Sequence, residues 1–456
     1  MAVEKRNQFS SKIGLIAATL GSAVGLGNVW RFPAEAQSNG GAAFLLLYVG
    51  CVLLLGIPVM LAEMSLGRAG RSDAVGVFRR LAPGKAWWVA GAVAITASYL
   101  ITGFYMVVEG WTAEYLFHSF TGDLYAAGRE TVPQADSLFV SRMDAYINAD
   151  WPPLIFTWAV LLINLGVLMG GVQKGIERLS NVMMPLLFIV LLVLCCMTLS
   201  LDGAGDGLRW FLSPDFSKIT WSAVINALGQ TFFSLSLGMG ILVTYSSYYP
   251  STTRLAPTAV TVALMSLLVA VLTGCVIFPS VSHFGLADHS LRGATLVFQT
   301  LPEVFSFLPG TTFWSILFFI LLFVAAITST VSLLEVAVAF LRDRFGMSRP
   351  RAVVLTVLPL FGLSSLCSLS FGSLSGFRIA GLTVFDFLDY FATNLLLPLV
   401  SIAICVYLGW FAPKGLLKDQ LTNGGTVRSR LTAAVLFVVR WIAPALIALI
   451  LVFNFL

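Results

Sequence analysis

The sequence predicts an all-α polytopic membrane protein of two inverted five-helix repeats plus an eleventh transmembrane helix. Its first and sixth helices are expected to unwind at mid-membrane. Three observations carry this reading. The 456 residues are 58% hydrophobic and only 11% charged, whereas soluble domains are about 25% charged. Apolar runs long enough to cross a ~30 Å hydrocarbon core recur from end to end, unlike the alternating ten-residue segments of a membrane barrel. Two of these runs, first and sixth in order, are broken by Gly and Ser, and matching breaks in two halves of a chain point to inverted repeats.

Eleven spans are expected, at 13–37, 42–67, 87–118, 152–170, 176–200, 220–247, 256–283, 310–341, 350–371, 382–410 and 431–455, separated by polar connectors with Gly and Pro. The chain then divides into an N-terminal tail (1–12), a first repeat (13–200), a connector (201–219), a second repeat (220–410), a further connector (411–430) and a last span (431–456). Of the 27 Lys and Arg residues, nineteen lie in the tail and the connectors on its side. Six (Arg129, Arg142, Arg209, Lys218, Arg292 and Arg378) lie opposite, and Arg31 and Arg440 fall within spans. The positive-inside rule puts the N-terminus in the cytoplasm and, after eleven spans, the C-terminus outside a cell (inner) membrane. No cleavable signal peptide is expected. The net charge of +5 then reflects topology and anionic lipid, not nucleic acid. The six cysteines lie in apolar runs without a CxxC and read as packing residues. Three scattered histidines make no metal cluster.

The first interruption reads GSAVGLGNVWRFP, Gly21–Pro33, with three glycines in seven residues. The second, GQTFFSLSLGMGILVTYSSYY, places Ser234, Ser236, Gly238 and Gly240 around its midpoint. Both stretches have poor helix propensity. Unwound backbone offers carbonyls to a cation and free N–H groups to a carboxylate, and is tolerated in a membrane only where it lines a cavity. A single Gly-rich span more often serves close helix packing; two at matching positions, each flanked by polar residues, favour a site.

GSAVGLGNVWRFP, FFSLSLGMG and AAITSTVSLLE resemble the neurotransmitter:sodium symporter family, over residues 6 to 410. The resemblance implies a LeuT-type fold and sodium-driven uptake of a small amino-acid-like solute by alternating access. GIERLSNVMMP, from Gly175 to Pro185, resembles a bacterial branch that carries several hydrophobic amino acids. There the Gly–Pro element lets the fifth span unwind at its cytoplasmic end; the plain alternative is a proline kink.

Carried over position by position, the family's substrate site comprises Ser22, Ala23, Leu26, Gly27, Ile101, Tyr105, Phe233, Ser234, Ser236, Met239, Ser329 and Leu333. The substrate carboxylate would meet the Leu26 and Gly27 N–H groups and the Tyr105 hydroxyl. Its amine would meet carbonyls of Ala23, Phe233 and Ser236. Monoamine carriers of the family have aspartate where this chain has Gly25, which implies a substrate that brings its own carboxylate. The apolar subsite and the adaptable Met239 imply leucine, isoleucine, valine, phenylalanine, tyrosine and tryptophan.

Two sodium ions are implied. The first would take Ala23, Asn28, Ser234, Ser266 and the substrate carboxylate; the second, Gly21, Val24, Ala325, Thr328 and Ser329. Chloride stays open. Ala270 stands where chloride-independent relatives have an acid, Tyr48, Gln230, Ser234 and Ser266 could cage an anion, and Glu63 could supply charge or hold the unwound first span. Arg31 and Asp389 match an outer gate with Phe233 as lid, and Arg6, Asp343 and Tyr248 an inner one. A non-transporting sensor or a carrier of one aromatic amino acid is the alternative. No clustered nucleophile or acid–base pair suggests an enzyme, and no obligate protein partner is evident beyond the lipid bilayer.

Overall fold

The computed structural model describes residues 12–126, 138–171, 177–283, 295–306, 310–427 and 432–453. The described chain is helical, with one isolated bridge between Ile379 and Leu382. Nine of its helices are long and apolar enough to cross a membrane: Ala42–Gly70, Trp88–Thr121, Trp151–Met169, Ser180–Thr198, Leu255–His283, Thr311–Phe345, Arg349–Leu369, Val384–Phe411 and Thr432–Phe453. The two expected spans missing from that set are the first and the sixth, and each is missing because it is broken.

The first span runs as Lys12–Ala23, bends at Val24 and Gly25, and resumes through a π-helical turn at Gly27–Arg31 into Phe32–Ser38. Pro33 follows this turn and leaves a carbonyl of the π-helical turn without its N–H partner. The sixth begins at Trp221, where the Thr220 hydroxyl accepts from Ala223 N–H at 3.1 Å, and ends its first half at Ser234. Residues 235–240 are non-helical, and Ile241–Ser246 completes the span.

Backbone conformation explains the second break. Gly238 and Gly240 have φ of 75° and 72°, and Ser236 sits at 55°, a region unfavourable to residues with a Cβ. Ser236 is held there by donating its hydroxyl to the Ser22 carbonyl at 2.8 Å, so one break fastens the other. At Gly238 a methyl group would come 2.5 Å from the Leu397 carbonyl oxygen of the tenth span. Its N–H donates at 2.7 Å to Oε1 of the fully buried Glu63. The alternative that Glu63 holds the first span is therefore corrected: it holds the sixth, because the left-handed turn at Gly238 presents a free N–H to the second span.

The third and eighth spans have 34 and 35 residues, about 50 Å of helix. They exceed the hydrocarbon thickness and frame the site as inclined posts. A buried polar chain links them: Asn164 of the fourth span donates to Glu109 Oε1 at 2.8 Å and accepts from Thr330 Oγ1 at 2.7 Å. Lower on the eighth span, the buried Glu335 takes both Nη groups of Arg349 at 3.1 and 2.7 Å, with Tyr248 donating at 3.4 Å. A bidentate pair with extra donors satisfies a carboxylate removed from water.

Gly175 lies outside the described residues. Pro185 stands exposed inside Arg178–Thr198, which is continuous through it, with one carbonyl left unbonded by the missing N–H.

The second span packs so closely on the sixth that a methyl group at Gly67 would overlap the Val243 carbonyl and Ser246 Oγ, whereas one at Gly50 meets open space. Gly67→Val should cost about 1–3 kcal/mol by overpacking and lower the thermal midpoint in detergent, while Gly50→Ala should leave it unchanged or slightly raised.

Candidate functional site

The two breaks face each other around a small cavity. Its lining is Ser22, Ala23, Gly25, Gly27, Ile101, Tyr105, Phe233, Ser236, Met239, Ile241, Ser329 and Leu333. Ten of the twelve residues expected at a substrate site are among these. Leu26 and Ser234 are not. Leu26 is fully buried and meets the site through its N–H alone, and Ser234 faces Tyr48, its Oγ 2.8 Å from that hydroxyl. Ile241 was missed from the sequence. It follows Gly240 directly, and only the turn direction aims it inward.

One end of the cavity is polar. Leu26 N–H donates to the Tyr105 hydroxyl at 2.9 Å, with Gly27 and Ser329 also lining this end. Backbone N–H groups at the start of a half-helix suit an anion, and this end is the cradle. Gly25 closes it: a methyl group there would overlap Ser329 Oγ and come within 2.9 Å of the Tyr105 oxygen. The other end is apolar, with Ile101, Met239, Ile241 and Leu333.

The expected first sodium cluster comes together. Asn28 Nδ2 donates to the Ala23 carbonyl at 3.3 Å and to Ser266 Oγ at 2.8 Å, and Ser266 Oγ donates to the Ser234 carbonyl at 3.2 Å. Asn28 Oδ1 is buried without a donor among the described residues, and such an acceptor in a native interior calls for an explanation. Turning the amide over would set its oxygen against the Ala23 carbonyl, and a cation between them would satisfy both. Ser266, brought in by the seventh span, lies in hydrogen-bond contact with Asn28.

The second cluster also assembles. The Gly21 carbonyl accepts from Thr328 Oγ1 at 3.0 Å and Ser329 Oγ at 3.3 Å, and Ala325 O accepts from Thr328 at 2.8 Å. Val24, fully buried, is the first non-helical residue beside them. All these ligand atoms are neutral oxygens, the donors a hard monovalent cation favours. No group of three or more His, Cys, Asp or Glu among the described residues could hold a metal.

Arg31 covers the cavity. Its guanidinium lies 5.1 Å from the Phe233 ring centroid and 3.6 Å from Asp389, the expected partner. It also pairs with Glu35, one helical turn on, at 3.3 Å, and donates to Gln230 at 3.2 Å and Thr393 at 3.4 Å, two contacts that spacing along the chain did not suggest. Phe233 in turn stacks on Tyr105 at 6.1 Å. Gln230 donates to the Gly27 carbonyl at 2.9 Å. Its amide therefore serves the first span and Arg31, although the sequence had grouped it in a possible anion cage. Arg6 lies outside the described residues. Asp343 accepts from Asp73 N–H at 3.0 Å, and Tyr248 belongs to the Glu335 cluster.

The sodium:neurotransmitter symporter family model matches residues 6–133 and 147–456. The chain belongs to this family. It is a sodium-dependent transporter and not an enzyme. Similar proteins include the sodium-dependent transporter YhdH of Bacillus subtilis, 35% identical over 99% of this chain and 98% of the relative. A sodium-dependent transporter of Haemophilus influenzae is 34% identical over the same shares. The bovine sodium-dependent dopamine transporter is 27% identical over 90% of this chain and 63% of its own length. Among solved structures, MhsT in complex with L-phenylalanine superposes with a TM-score of 0.92 at 40% identity, covering 98% of this chain and 99% of the other. The symporter family and the fold expected from the two interruptions are thus shown.

Two substitutions probe the cradle of this symporter. Tyr105→Phe removes a donor to a charged group, worth about 1.5–3 kcal/mol, so ligand affinity should fall roughly 10- to 150-fold in a scintillation proximity assay. Gly25→Asp should abolish binding outright, because the side chain collides with Ser329 and Tyr105.

Proposed function

We propose that the chain is a sodium-coupled symporter importing hydrophobic and aromatic L-amino acids, among them leucine, isoleucine, valine, phenylalanine, tyrosine and tryptophan, by alternating access. The observation that carries this reading is the two-ended cavity: an N–H cradle closed by Gly25 for a carboxylate, opening into an apolar subsite. A substrate without a carboxylate would leave the cradle donors unpaired, which is costly in a dry site. Similarity to a protein solved with L-phenylalanine supports the same class. Met239, unbranched and polarisable, suits side chains of different size.

Two sodium ions travel with the substrate. The first is held by Ala23, Asn28, Ser234, Ser266 and the substrate's own carboxylate, so ion and amino acid each raise the other's affinity by the same factor. The second, at Gly21, Val24, Ala325, Thr328 and Ser329, joins the first span to the eighth and biases the closed arrangement. Repeats at 13–200 and 220–410 rock around this fixed centre, with connectors at 201–219 and 411–430. Arg31 and Asp389, with Phe233 beneath, gate the outer path; Arg6, Asp343 and Tyr248 gate the inner one, and loosening between Gly175 and Pro185 admits water to the second ion. The N-terminus is cytoplasmic and the C-terminus extracellular in the cell's inner membrane, consistent with the charge count.

Purified protein in proteoliposomes should accumulate labelled tryptophan under an inward sodium gradient and not under potassium. Accumulation absent despite sodium-dependent binding would assign a sensor, and competition by small polar amino acids alone would refute the apolar subsite. Thr328→Ala removes one of five oxygens around the second ion. It should raise the sodium concentration for half-maximal uptake about tenfold, at ~1.5 kcal/mol per lost ligand hydrogen-bonding group; an unchanged sodium curve would reject that site.

A further inference from the structure

Arg440 has no place in the transport site, yet it lies within the eleventh span. The residue is exposed on the outer surface of the helix bundle, where a bare charge is costly. Helical side chains lean toward the helix N-terminus, so its guanidinium is carried back toward the Thr432 end. There it lies 4.7 Å from the ring centroid of Trp410 and 5.5 Å from that of Trp441. The two indoles meet edge to face, 4.4 Å apart at 78°. Trp410 is the last residue but one of the tenth span, so the charge sits at the depth of a helix end, where aromatic residues mark the headgroup boundary.

This arrangement is held by the backbone. Two π-helical turns, Tyr407–Phe411 and Val438–Ile442, face each other, and such turns often accompany functional sites. A methyl group at Gly409 would come 2.9 Å from Arg440 Cα, so only glycine lets the turns close up. Trp410 Nε1 donates to the Arg440 carbonyl at 3.1 Å. The guanidinium thus rests against a pair of touching indoles, and no hydrogen bond among the described residues uses its N–H edge.

Nothing in the described chain neutralises it. No ion pair among the described residues includes Arg440, and Asp419 is the only acidic residue after Asp389. The surroundings add positive charge: Lys414 is exposed three residues past Phe411. Phe411 and Tyr407 pack at a tilt against Trp87, at 5.1 and 5.3 Å, and Arg79 lies over the neighbouring Trp88 at 5.3 Å. A guanidinium fork matches the oxygens of a phosphate, and a basic, aromatic corner at membrane depth is the setting in which anionic headgroups are held.

We propose that Arg440, resting against Trp410 and Trp441 at the corner of the tenth and eleventh spans, binds the phosphate of an anionic phospholipid.

The test uses the full-length protein in detergent, with bound lipid counted by native mass spectrometry. Wild type, Arg440→Gln and Arg440→Lys are titrated with phosphatidylglycerol, with phosphatidylcholine of the same chains, and with inorganic phosphate. Wild type should bind one phosphatidylglycerol about fivefold more tightly than Arg440→Gln, the worth of one basic residue at an anionic surface. Arg440→Lys should fall between, having charge without the planar fork, and it carries the comparison if the glutamine variant does not fold. Phosphatidylcholine should show no such difference, and inorganic phosphate should not displace the lipid. Equal phosphatidylglycerol binding by wild type and variants would overturn the proposal. So would displacement by inorganic phosphate, which would make the ligand a free anion, or loss of a dimer in place of a lipid, which would make the corner a contact between copies.

Discussion

The structure depends on the mutual satisfaction of two broken helices. Inside a bilayer an unpaired N–H or carbonyl has no water to turn to, so unwinding either span alone would be prohibitively costly. Here the Ser236 hydroxyl answers the Ser22 carbonyl, Glu63 answers Gly238 N–H, Gln230 answers the Gly27 carbonyl and Tyr105 answers Leu26 N–H. Each partner comes from a different part of the chain. All four bonds join different spans, so the breaks persist only while the whole bundle is assembled.

That dependence gives the site its chemistry. Groups that can be borrowed by one another can also be borrowed by a ligand, since a carboxylate or a cation replaces one satisfied arrangement by another. The Gly21 carbonyl already receives two hydroxyls from the eighth span, so a cation in the same place would join the same elements. The proposed coupling of sodium and substrate therefore needs no long-range signal. Ala23 ends the helix that leads into the cradle, and Ser234 ends the facing half of the sixth span at its own break, so whatever orders one orders the other.

Outside the centre, rigid posts carry the polar groups the membrane would otherwise reject. Glu109, Asn164 and Thr330 link three spans in one buried chain, and the Glu335–Arg349 pair ties the eighth span to the ninth. At the periphery the pattern changes from satisfied to open. Arg440 rests against two touching indoles and forms no ion pair among the described residues, which fits the proposal that its last partner is supplied by the lipid.

The sequence by itself determined the class of the molecule and most of its centre. Hydropathy marked the spans, since burial in hydrocarbon demands about twenty apolar residues whatever the fold. The glycines of GSAVGLGNVWRFP marked the first break, since local propensity is written locally. Gly25 foretold an open position in the cradle, and the structure supplies the reason in Ser329 and Tyr105. Only the tertiary structure decided which distant groups complete that centre. It turned Glu63 to the sixth span instead of the first, aimed Ile241 into the cavity, gave Gln230 to Gly27 and Arg31, and added Thr393 to the arginine's partners. Such contacts join residues tens to hundreds of positions apart, or depend on the direction of a single left-handed turn. Neither a long-range pairing nor a turn's aim leaves a periodic trace in the chain.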